Sequence, residues 1–558
     1  MQLKPIYSRW LLLAGIASVS FVSGAFLTRQ SSQPITSSMV QQASEIIGLE
    51  FTPAERDTML DDLADQRKGF DNFRKVALSN DIAPALTFNP LPKGFKINTQ
   101  KKPFKTSPVG AVSLPAHHED LAFYTVTQLA ELIRTRKITS LELTQFFLER
   151  LKKYGPKLES VITLTEDLAL KQAKQADTEI KAGKYKGLLH GIPYGAKDLL
   201  AKKGYRTTWG SVPYQYQVLE MDATVIRKLE EAGAVLVAKL TLGELAWGDV
   251  WFGGKTRNPW NLAEGSSGSS AGSGASVSAG LIPFAIGTET LGSIVSPSTV
   301  CGITGLRPTF GRVSRHGAMA LSWSMDKIGP MCRTVEDCAV VFNAIYGPDG
   351  LDHSVIDASF NYTPLSSLKG LKIGYLKTAF ESTYPNQPFD HATLQKVKEL
   401  GAELIPIELP ELPYQDATMI ISVEGAAAFD ELTRSNKDDQ MVRQGKNAWP
   451  NVFRAARFVP AVEYLQANRI RTLLIEQMNE KLKGLDAYIT PTYMGGNLSL
   501  TNLTGHPCVV VPNGFNDKGL PVSITFMGKL LDEAKLLAIA KLYQDATPFH
   551  QQHPKLAL

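Results

Sequence analysis

The sequence predicts a layered α/β fold with a largely buried β-sheet. From Thr125 onward helical and strand patterns alternate along the chain, which is typical of sheets covered by helices. Capping boxes at Thr125 (TVTQ) and Thr139 (TSLE) predict the starts of two amphipathic helices. Further helices are predicted at 168–182 and 221–231, and short β-branched runs predict strands at 161–164 and 235–238.

The first thirty residues have the pattern of an export signal. Lys4 and Arg9 precede residues 10–27 (WLLLAGIASVSFVSGAFL), an apolar run without charge, and small residues allow cleavage after Ala25. An uncleaved anchor is also physically possible, because a helix of this length would span about 27 Å. We therefore expect residues 1–29 to be a signal peptide, or else an N-terminal anchor that is the only membrane contact. The rest of the chain should lie in the periplasm or outside the cell.

Residues 30–114 are predicted to form a linker and a helical extension. Residues 30–40 (QSSQPITSSMV) are polar and predict the linker. Residues 41–87 carry apolar side chains at helical spacing, and Thr52, in TPAE, predicts a helix start. The remainder, 115–558, is expected to be a single catalytic domain.

Composition argues against several functional classes. The 558 residues carry a formal net charge of +5, without a Lys/Arg run or interleaved basic and aromatic residues, so no nucleic-acid partner is predicted. The four Cys and nine His show no zinc-ligand spacing, so neither a metal nor another cofactor is predicted. The thiols are expected to be buried, although export would allow a disulfide between Cys332 and Cys338, the nearest pair in sequence.

The Gly/Ser-rich tract at 265–308 is the most informative stretch of the chain. A flexible linker would stay polar, whereas this tract continues into the apolar residues 275–286. Small residues at this density in an apolar context indicate that the backbone approaches another group closely. That group is either another helix or a substrate carbonyl.

A serine nucleophile needs a base, and no histidine near the tract offers one. Lys197 lies in the apolar, glycine-containing segment HGIPYGAKD. A lysine buried there would have its charged form disfavoured and could act as a base. Taken alone, a lysine in such a segment is more often an ordinary surface residue than a catalytic one.

Several motifs together resemble the amidase-signature family, in that family's order and approximate spacing, from about residue 120 to about 555. The segments that carry the resemblance, besides Lys197 and the Gly/Ser tract, are 302–317 (GITGLRPTFGRVSRHG), 329–337 (GPMCRTVED), 502–507 (NLTGHP) and 511–514 (VPNG). The resemblance implies a three-layer α/β/α fold with a large mixed β-sheet, and hydrolysis of a linear carboxylic amide.

The resemblance also implies a set of site residues. Ser293 corresponds to the nucleophile and Lys197 to the base. Ser269 corresponds to the serine that bridges them, and it should follow a cis peptide bond from Gly268. Ser270 should support Lys197 by a hydrogen bond without taking part in the proton relay itself. The oxyanion hole should be formed by the backbone N–H groups of Thr290, Leu291, Gly292 and Ser293.

Three positions depart from the family pattern. Leu291 stands where Gly or Ala is usual, Val295 where Arg is usual, and Ser267 where Gly precedes the cis pair. Leu291 keeps its N–H, so the oxyanion donor survives, but its side chain should reshape the pocket. The missing arginine at 295 puts a structural contact in doubt.

Rival interpretations come from within the family and from outside it. The segment 268–272 (GSSAG) matches the GxSxG elbow of α/β-hydrolases, but residues 263–267 (AEGSS) before it do not predict a strand. A glutaminase-type A subunit of a tRNA-dependent amidotransferase is the nearest functional alternative, and export argues against it. A second alternative is an envelope-binding protein that has an amidase scaffold but no catalytic activity. The presence of Lys197, Ser269 and Ser293 argues against it. The sequence leaves open which small-molecule amide is the substrate.

Overall fold

The chain divides into two units, residues 1–67 and 68–558. The computed structural model describes residues 33–76 and 88–556, with nothing to be said of the Arg74 side chain. The predicted signal segment at 1–29 and residues 77–87 of the predicted extension lie outside the described residues. No helix within the described ranges is both long enough and apolar enough to cross a membrane.

The first unit contains helix α1 (Ser37–Ile46) and most of helix α2 (Pro53–Arg74). The Thr52 N–H donates to Glu55 Oε2 over 2.7 Å and the Glu55 N–H donates to Thr52 Oγ1 over 3.3 Å, which confirms the predicted helix start. The prediction of a linker throughout 30–40 was wrong in its last residues. Thr36 caps α1 by accepting the Met39 N–H, because a threonine hydroxyl can replace a missing backbone acceptor.

A mixed sheet of eleven strands forms the centre of the second unit. Its strands are β1 (Val161–Leu164), β2 (Pro193–Lys197), β3 (Val235–Leu240), β8 (Phe284–Glu289), β9 (Thr304–Arg307), β10 (Lys327–Cys332), β11 (Lys372–Leu376), β12 (Glu403–Ile407), β13 (Ala487–Pro491), β14 (Cys508–Phe515) and β15 (Pro521–Met527). Their order in the sheet is β1-β3-β2-β8-β10-β9-β14-β15-β13-β11-β12. Strands β2, β3 and β8 are mutually parallel, as are β11, β12 and β13, and the other pairs are antiparallel.

Both faces of this sheet are buried, as a three-layer architecture requires. Alternate side chains of a strand point to opposite faces. In β3, Leu236 belongs to one hydrophobic core while Val235 and Val237 belong to another, and in β14 Val509 and Val510 are divided in the same way. The predicted α/β/α fold with a large mixed sheet is therefore confirmed.

Helices cover the two faces and supply most of the connections. Both predicted capping boxes are present, at Thr125 and Thr139. The predicted helix at 221–231 begins three residues later than expected. The helices of the second unit are α3 (Val126–Arg134), α4 (Ser140–Leu158), α5 (Glu166–Lys181), α6 (Thr224–Glu231), α7 (Ala271–Ser278), α8 (Val295–Cys301), α9 (Val335–Ile345), α10 (Lys377–Glu381), α11 (Gln387–Glu399), α12 (Tyr414–Ala417), α13 (Met419–Ala428), α14 (Asp430–Arg434), α15 (Trp449–Ala456), α16 (Ala461–Lys481), α17 (Asn497–Thr504) and α18 (Glu533–Asp545).

Two short hairpins stand apart from the main sheet. Strand β4 (Val250–Trp251) pairs with β5 (Gly254–Lys255), and β6 (Arg257–Asn258) pairs with β7 (Asn261–Gly265). The prediction that no strand precedes the GSSAG segment was therefore wrong for its first residues. Because β7 is exposed at Leu262, Ala263 and Glu264 and pairs, among the described residues, only within its hairpin, it lacks the apolar run by which buried strands are recognised.

The four cysteines, Cys301, Cys332, Cys338 and Cys508, are buried free thiols. This confirms the expectation that they pack as small apolar groups.

Candidate active site

Lys197 ends strand β2 at the edge of the sheet where the parallel strands β2 and β8 both finish. Its side chain is fully buried. The amine Nζ lies 2.8 Å from Ser269 Oγ, 3.1 Å from Ser270 Oγ and 2.9 Å from Thr288 Oγ1. Three residues predicted from the sequence, Lys197, Ser269 and Ser270, thus lie together. Thr288, which was not predicted from the sequence, joins them.

Burial lowers the pKa of Lys197 to about 7, although the carboxylates of Asp326 and Glu289 act in the opposite direction. Removing an ammonium group from water disfavours its charged form, and the hydroxyls around Nζ carry no full negative charge to compensate. Lys197 is therefore a buried amine that can be neutral near pH 7. The interpretation of Lys197 as a surface lysine is excluded.

The peptide bond between Gly268 and Ser269 is cis, as predicted. The Ser269 carbonyl accepts the Gly243 N–H over 3.3 Å. Gly268 lies directly against another backbone segment, since a Cβ at this position would lie 1.8 Å from the carbonyl oxygen of Gly248. Ser267, where the family pattern has glycine, adopts a left-handed conformation with φ of 59°.

The Gly/Ser tract brings helix α7 close to strand β3, as its composition indicated. A Cβ at Gly272 would lie 2.4 Å from the Ser160 carbonyl oxygen and 2.6 Å from the Thr241 N. Ser270, immediately before the helix, accepts the Thr288 N–H over 3.1 Å and donates to the Thr288 carbonyl over 3.0 Å. Ser270 is thereby fixed beneath Lys197, in the supporting position predicted for it.

Ser293 lies in the turn between β8 and α8, with 7% of its surface exposed. The Ser293 carbonyl accepts the Ser270 N–H over 3.1 Å, which joins this turn to the Lys197 cluster. Within the described part of the chain, no hydrogen bond joins the Ser293 hydroxyl to the Ser269 hydroxyl. In the same residues, no histidine hydrogen-bonds Ser269, Ser270 or Ser293.

The backbone around Ser293 presents unpaired donors. Across the described residues, none of the four predicted oxyanion N–H groups donates a hydrogen bond within the chain. Gly292 has a φ of 82°, a left-handed conformation suited to glycine. An oxyanion hole needs backbone donors without a partner in the protein, and this condition is met by Thr290, Leu291, Gly292 and Ser293.

The Glu289 side chain fixes the end of the 290–293 turn by hydrogen bonds to backbone N–H groups. Its Oε2 accepts the N–H groups of Ile294 and Val295 over 2.8 and 2.9 Å. Burial by itself raises the pKa of Glu289, but the charges of Arg307 and Lys327 outweigh this effect and lower the pKa to about 2. Glu289 is therefore an anion across the working pH range of most enzymes.

Arg307, at the end of strand β9, is the cation that pairs with Glu289. Its Nη1 lies 2.9 Å from Glu289 Oε1, with both side chains fully buried. Its Nη2 donates to Thr501 Oγ1 and to the His506 carbonyl over 3.0 and 2.8 Å. Val295 packs into the hydrophobic core.

Asp326 connects the predicted oxyanion turn to the neighbouring loop. Its Oδ1 accepts the Thr290 hydroxyl over 2.5 Å, and its Oδ2 accepts the N–H groups of Leu321 and Ser322 over 2.8 and 3.0 Å. The sequence reasoning missed Asp326, Glu289 and Thr288. The one available signal was the polar run Thr288–Thr290, which ends an otherwise apolar strand.

The segment 244–247 (ELAW) contributes to the core and to the wall of a cavity. Glu244 and Leu245 are buried, and Ala246 lines a cavity that is also lined by Thr288 and Thr290. Leu245 and Ala246 both have left-handed backbone conformations, with φ of 47° and 65°.

Comparison with known proteins establishes the class to which this fold and site belong. A sequence model of the Amidase family matches residues 142–537, more than half of the chain. The chain therefore belongs to the amidase-signature family, and its fold and its membership support amidohydrolase activity on carbon–nitrogen bonds with a small amide as substrate.

Particular relatives differ in their named activities. The chain is 34% identical to the A subunit of the glutamyl-tRNA(Gln) amidotransferase of Coxiella burnetii (strain Dugway 5J108-111), over 77% of this chain and 99% of the relative. It is 35% identical to the protein of the same name from Marinomonas sp. (strain MWYL1), over 77% and 98%. Its structure is similar to that of the peptide amidase from Stenotrophomonas maltophilia, with a TM-score of 0.69, 30% identity, and coverage of 78% of this chain and 99% of that one.

The close approach at Gly268 generates the first prediction. Gly268→Ala should lower the free energy of unfolding by on the order of 3 kcal/mol and abolish labelling of the protein by a fluorophosphonate. The added methyl group would meet a backbone carbonyl, which cannot move aside as a flexible side chain can. The measurements are the thermal midpoint and the extent of labelling.

Gly445→Ala is the matched control, because nothing lies within 4 Å of a Cβ at this position. It should leave both quantities unchanged. Normal labelling of a stable Gly268→Ala variant would contradict the geometry described for this segment.

Proposed function

We propose that this protein is a serine amidohydrolase that cleaves a linear carboxylic amide through an acyl-enzyme on Ser293, with Ser269 and Lys197 relaying the proton. The observation that carries the proposal is the buried Lys197 amine, 2.8 Å from Ser269 Oγ, with its pKa lowered to about 7. Membership of the amidase-signature family supports the same chemistry.

The first half-reaction acylates the serine. The neutral Lys197 amine accepts the Ser269 hydroxyl proton while Ser269 accepts the proton of Ser293. Ser293 Oγ forms a bond to the amide carbon, and the C–N bond then breaks as the proton returns through Ser269 to the leaving nitrogen. Catalytic hydrogen bonds often shorten only when substrate is bound, which accommodates the missing bond between the two serine hydroxyls.

The second half-reaction hydrolyses the ester. Water loses a proton to the same relay and attacks the acyl carbon, the Oγ–C bond breaks, and Ser293 recovers its proton as the carboxylic acid leaves. In both halves the carbonyl oxygen becomes negatively charged, and the free N–H groups of the 290–293 turn would stabilise that charge. Such a donor contributes about 3–4 kcal/mol in other enzymes.

The assignment of the nucleophile is tested by Ser293→Ala. The variant should lose fluorophosphonate labelling and amide hydrolysis completely, while its thermal midpoint changes little because only one small hydroxyl is removed. Ser270→Ala is the informative comparison. Ser270 is fully buried and hydrogen-bonded on both sides, so it is a poor nucleophile and its variant should still be labelled. Labelling that persists in Ser293→Ala would place the nucleophile elsewhere.

The assignment of the base predicts a pH dependence. Below a pH of about 7 Lys197 is protonated and cannot accept a proton, so kcat/KM should rise about tenfold per pH unit and level off above that value. Lys197→Ala should lower the rate strongly and remove this rise. If Lys197 were only structural, the variant would lose stability and activity together while the profile kept its shape. Rates against pH and thermal midpoints of both proteins distinguish the two roles.

A second candidate function is that of a glutaminase-type component of an amidotransferase. The curated relatives, named as A subunits of an amidotransferase, favour this candidate over a free-standing amidase. The peptide amidase favours the free-standing enzyme. Both candidates use the same acyl-enzyme chemistry and differ in the amide that is accepted and in the need for partner subunits. The third alternative, a silent scaffold, would not be labelled by a fluorophosphonate at all.

We also propose that the catalytic unit is exported. Lys4, Arg9 and the uncharged run 10–27 support this localisation. Fractionation of cells expressing the full chain should place the protein in the periplasm, in the medium or in the membrane fraction. Unprocessed protein recovered in the cytosol would overturn the proposal and would strengthen the case for an amidotransferase component.

A further inference from the structure

A cavity of about 470 Å³ adjoins the candidate catalytic centre. Thr288, which contacts Lys197, and Thr290, which belongs to the predicted oxyanion turn, both line it. A group bound in this cavity would therefore lie next to the reacting carbonyl. The cavity is a candidate site for the acyl part of the substrate, and the inference below rests on the function proposed above.

The walls of this cavity are mainly apolar. Aliphatic, thioether and indole groups surround the space, and they belong to Leu199, Met319, Leu321, Trp323, Ile328 and Leu351. Apolar walls of this kind favour an apolar ligand, because each buried methylene group strengthens binding roughly two- to fourfold.

The guanidinium group that lines the cavity, that of Arg315, is already paired with Asp352. Its Nε lies 3.0 Å from Asp352 Oδ2, and its Nη2 donates to Ser354 Oγ over 2.8 Å. Its Nη1 donates to the Trp323 carbonyl over 2.5 Å. The neighbouring carboxylate neutralises Arg315, and its donors are engaged, so a substrate carboxylate would gain little by binding there.

The two charged residues at the inner end are also occupied. Asp326 accepts three hydrogen bonds, from the Thr290 hydroxyl and two backbone N–H groups. Lys327 is buried and donates to the Met325 carbonyl. Arg315, Asp326 and Lys327 are thus engaged with other groups of the protein, so a zwitterionic substrate such as free glutamine would lose its hydration without gaining an unpaired charge from any of the three. The remaining polar side chains of the wall include those of His316 and His353.

We infer that the enzyme acts on neutral amides with an apolar acyl group, and that the side chain of Trp323 limits the length of that group. Trp323 lines this cavity and also a second one of about 790 Å³, whose lining includes Phe88, Leu91 and Phe310. Half of the Trp323 surface is exposed, at 51%, so its removal should open one space into the other without disturbing the core.

A series of fluorophosphonates tests this inference through the rate of covalent labelling. Butyl, hexyl and octyl reagents should label Ser293 faster with each lengthening, by roughly two- to fourfold per methylene, until the chain reaches Trp323. A reagent of hexyl length that ends in a carboxylate should label at least about tenfold more slowly than its neutral counterpart, because Arg315 and Lys327 are already engaged with other groups of the protein. Hexanamide should slow the labelling in competition, and glutamine at equal concentration should not.

Trp323→Ala should shift the preference towards longer chains. The ratio of decyl to butyl labelling rates should rise at least about tenfold, which corresponds to several additional buried methylene groups. Tyr216→Ala is the matched control, since it removes an exposed aromatic side chain that lines neither cavity, and its ratio should stay at the wild-type value. Thermal midpoints of both variants verify that they fold.

The outcomes separate this inference from the proposed function. Absence of labelling by every reagent would overturn the proposed function and this inference with it. Labelling at Ser293 that is independent of chain length, that favours the carboxylate reagent, or that glutamine suppresses would overturn the inference alone. An unchanged chain-length ratio in Trp323→Ala would overturn the role of Trp323.

Discussion

The burial of one amine beside two serines is the constraint on which the rest of this site depends. A lysine at this position is useful as a base only if water is kept from it, because hydration would return its pKa to the ordinary value. Strands β2, β3 and β8 supply the dry surroundings, and the next residue, Asp198, is itself fully buried and paired with Lys239 over 2.6 Å. The negative charge nearest in sequence is thus committed to another cation and is not free to hold Lys197 in its charged form.

A second buried ion pair governs the geometry of the turn that carries Ser293. The Glu289 carboxylate can accept the N–H groups at the start of helix α8 only because Arg307 neutralises it from the other side. Loss of one partner of such a pair typically costs about 3–5 kcal/mol, since the other charge remains buried and alone. The turn therefore has little conformational freedom, while the N–H groups of residues 290–293 donate no hydrogen bond within the described residues.

The pairing of buried charges extends to the wall of the cavity of about 470 Å³ beside the site. Asp326 joins the turn to the loop that contains Ser322, and Glu424 of helix α13 holds that loop through the Ser322 hydroxyl and through Ser324. Arg471 of helix α16 donates to both the hydroxyl and the carbonyl of Ser324. Asp326, Glu424 and Arg315 around this cavity thus each have a structural partner.

The sequence by itself determined the helix starts at Thr52, Thr125 and Thr139, the α/β layering, and the segments that contain the lysine and the serines, because capping and periodicity are local and the motifs are contiguous. It did not predict β7, which is short, exposed and paired, among the described residues, only within a hairpin. It also could not reveal the partners of Lys197 and Glu289, because Thr288 and Arg307 come into contact with them only when distant strands pair. The lowered pKa of Lys197, the pairing of Glu289 with Arg307 and the paired state of Arg315 depend on distances between residues far apart in the chain, and those distances follow from the packing of the whole sheet.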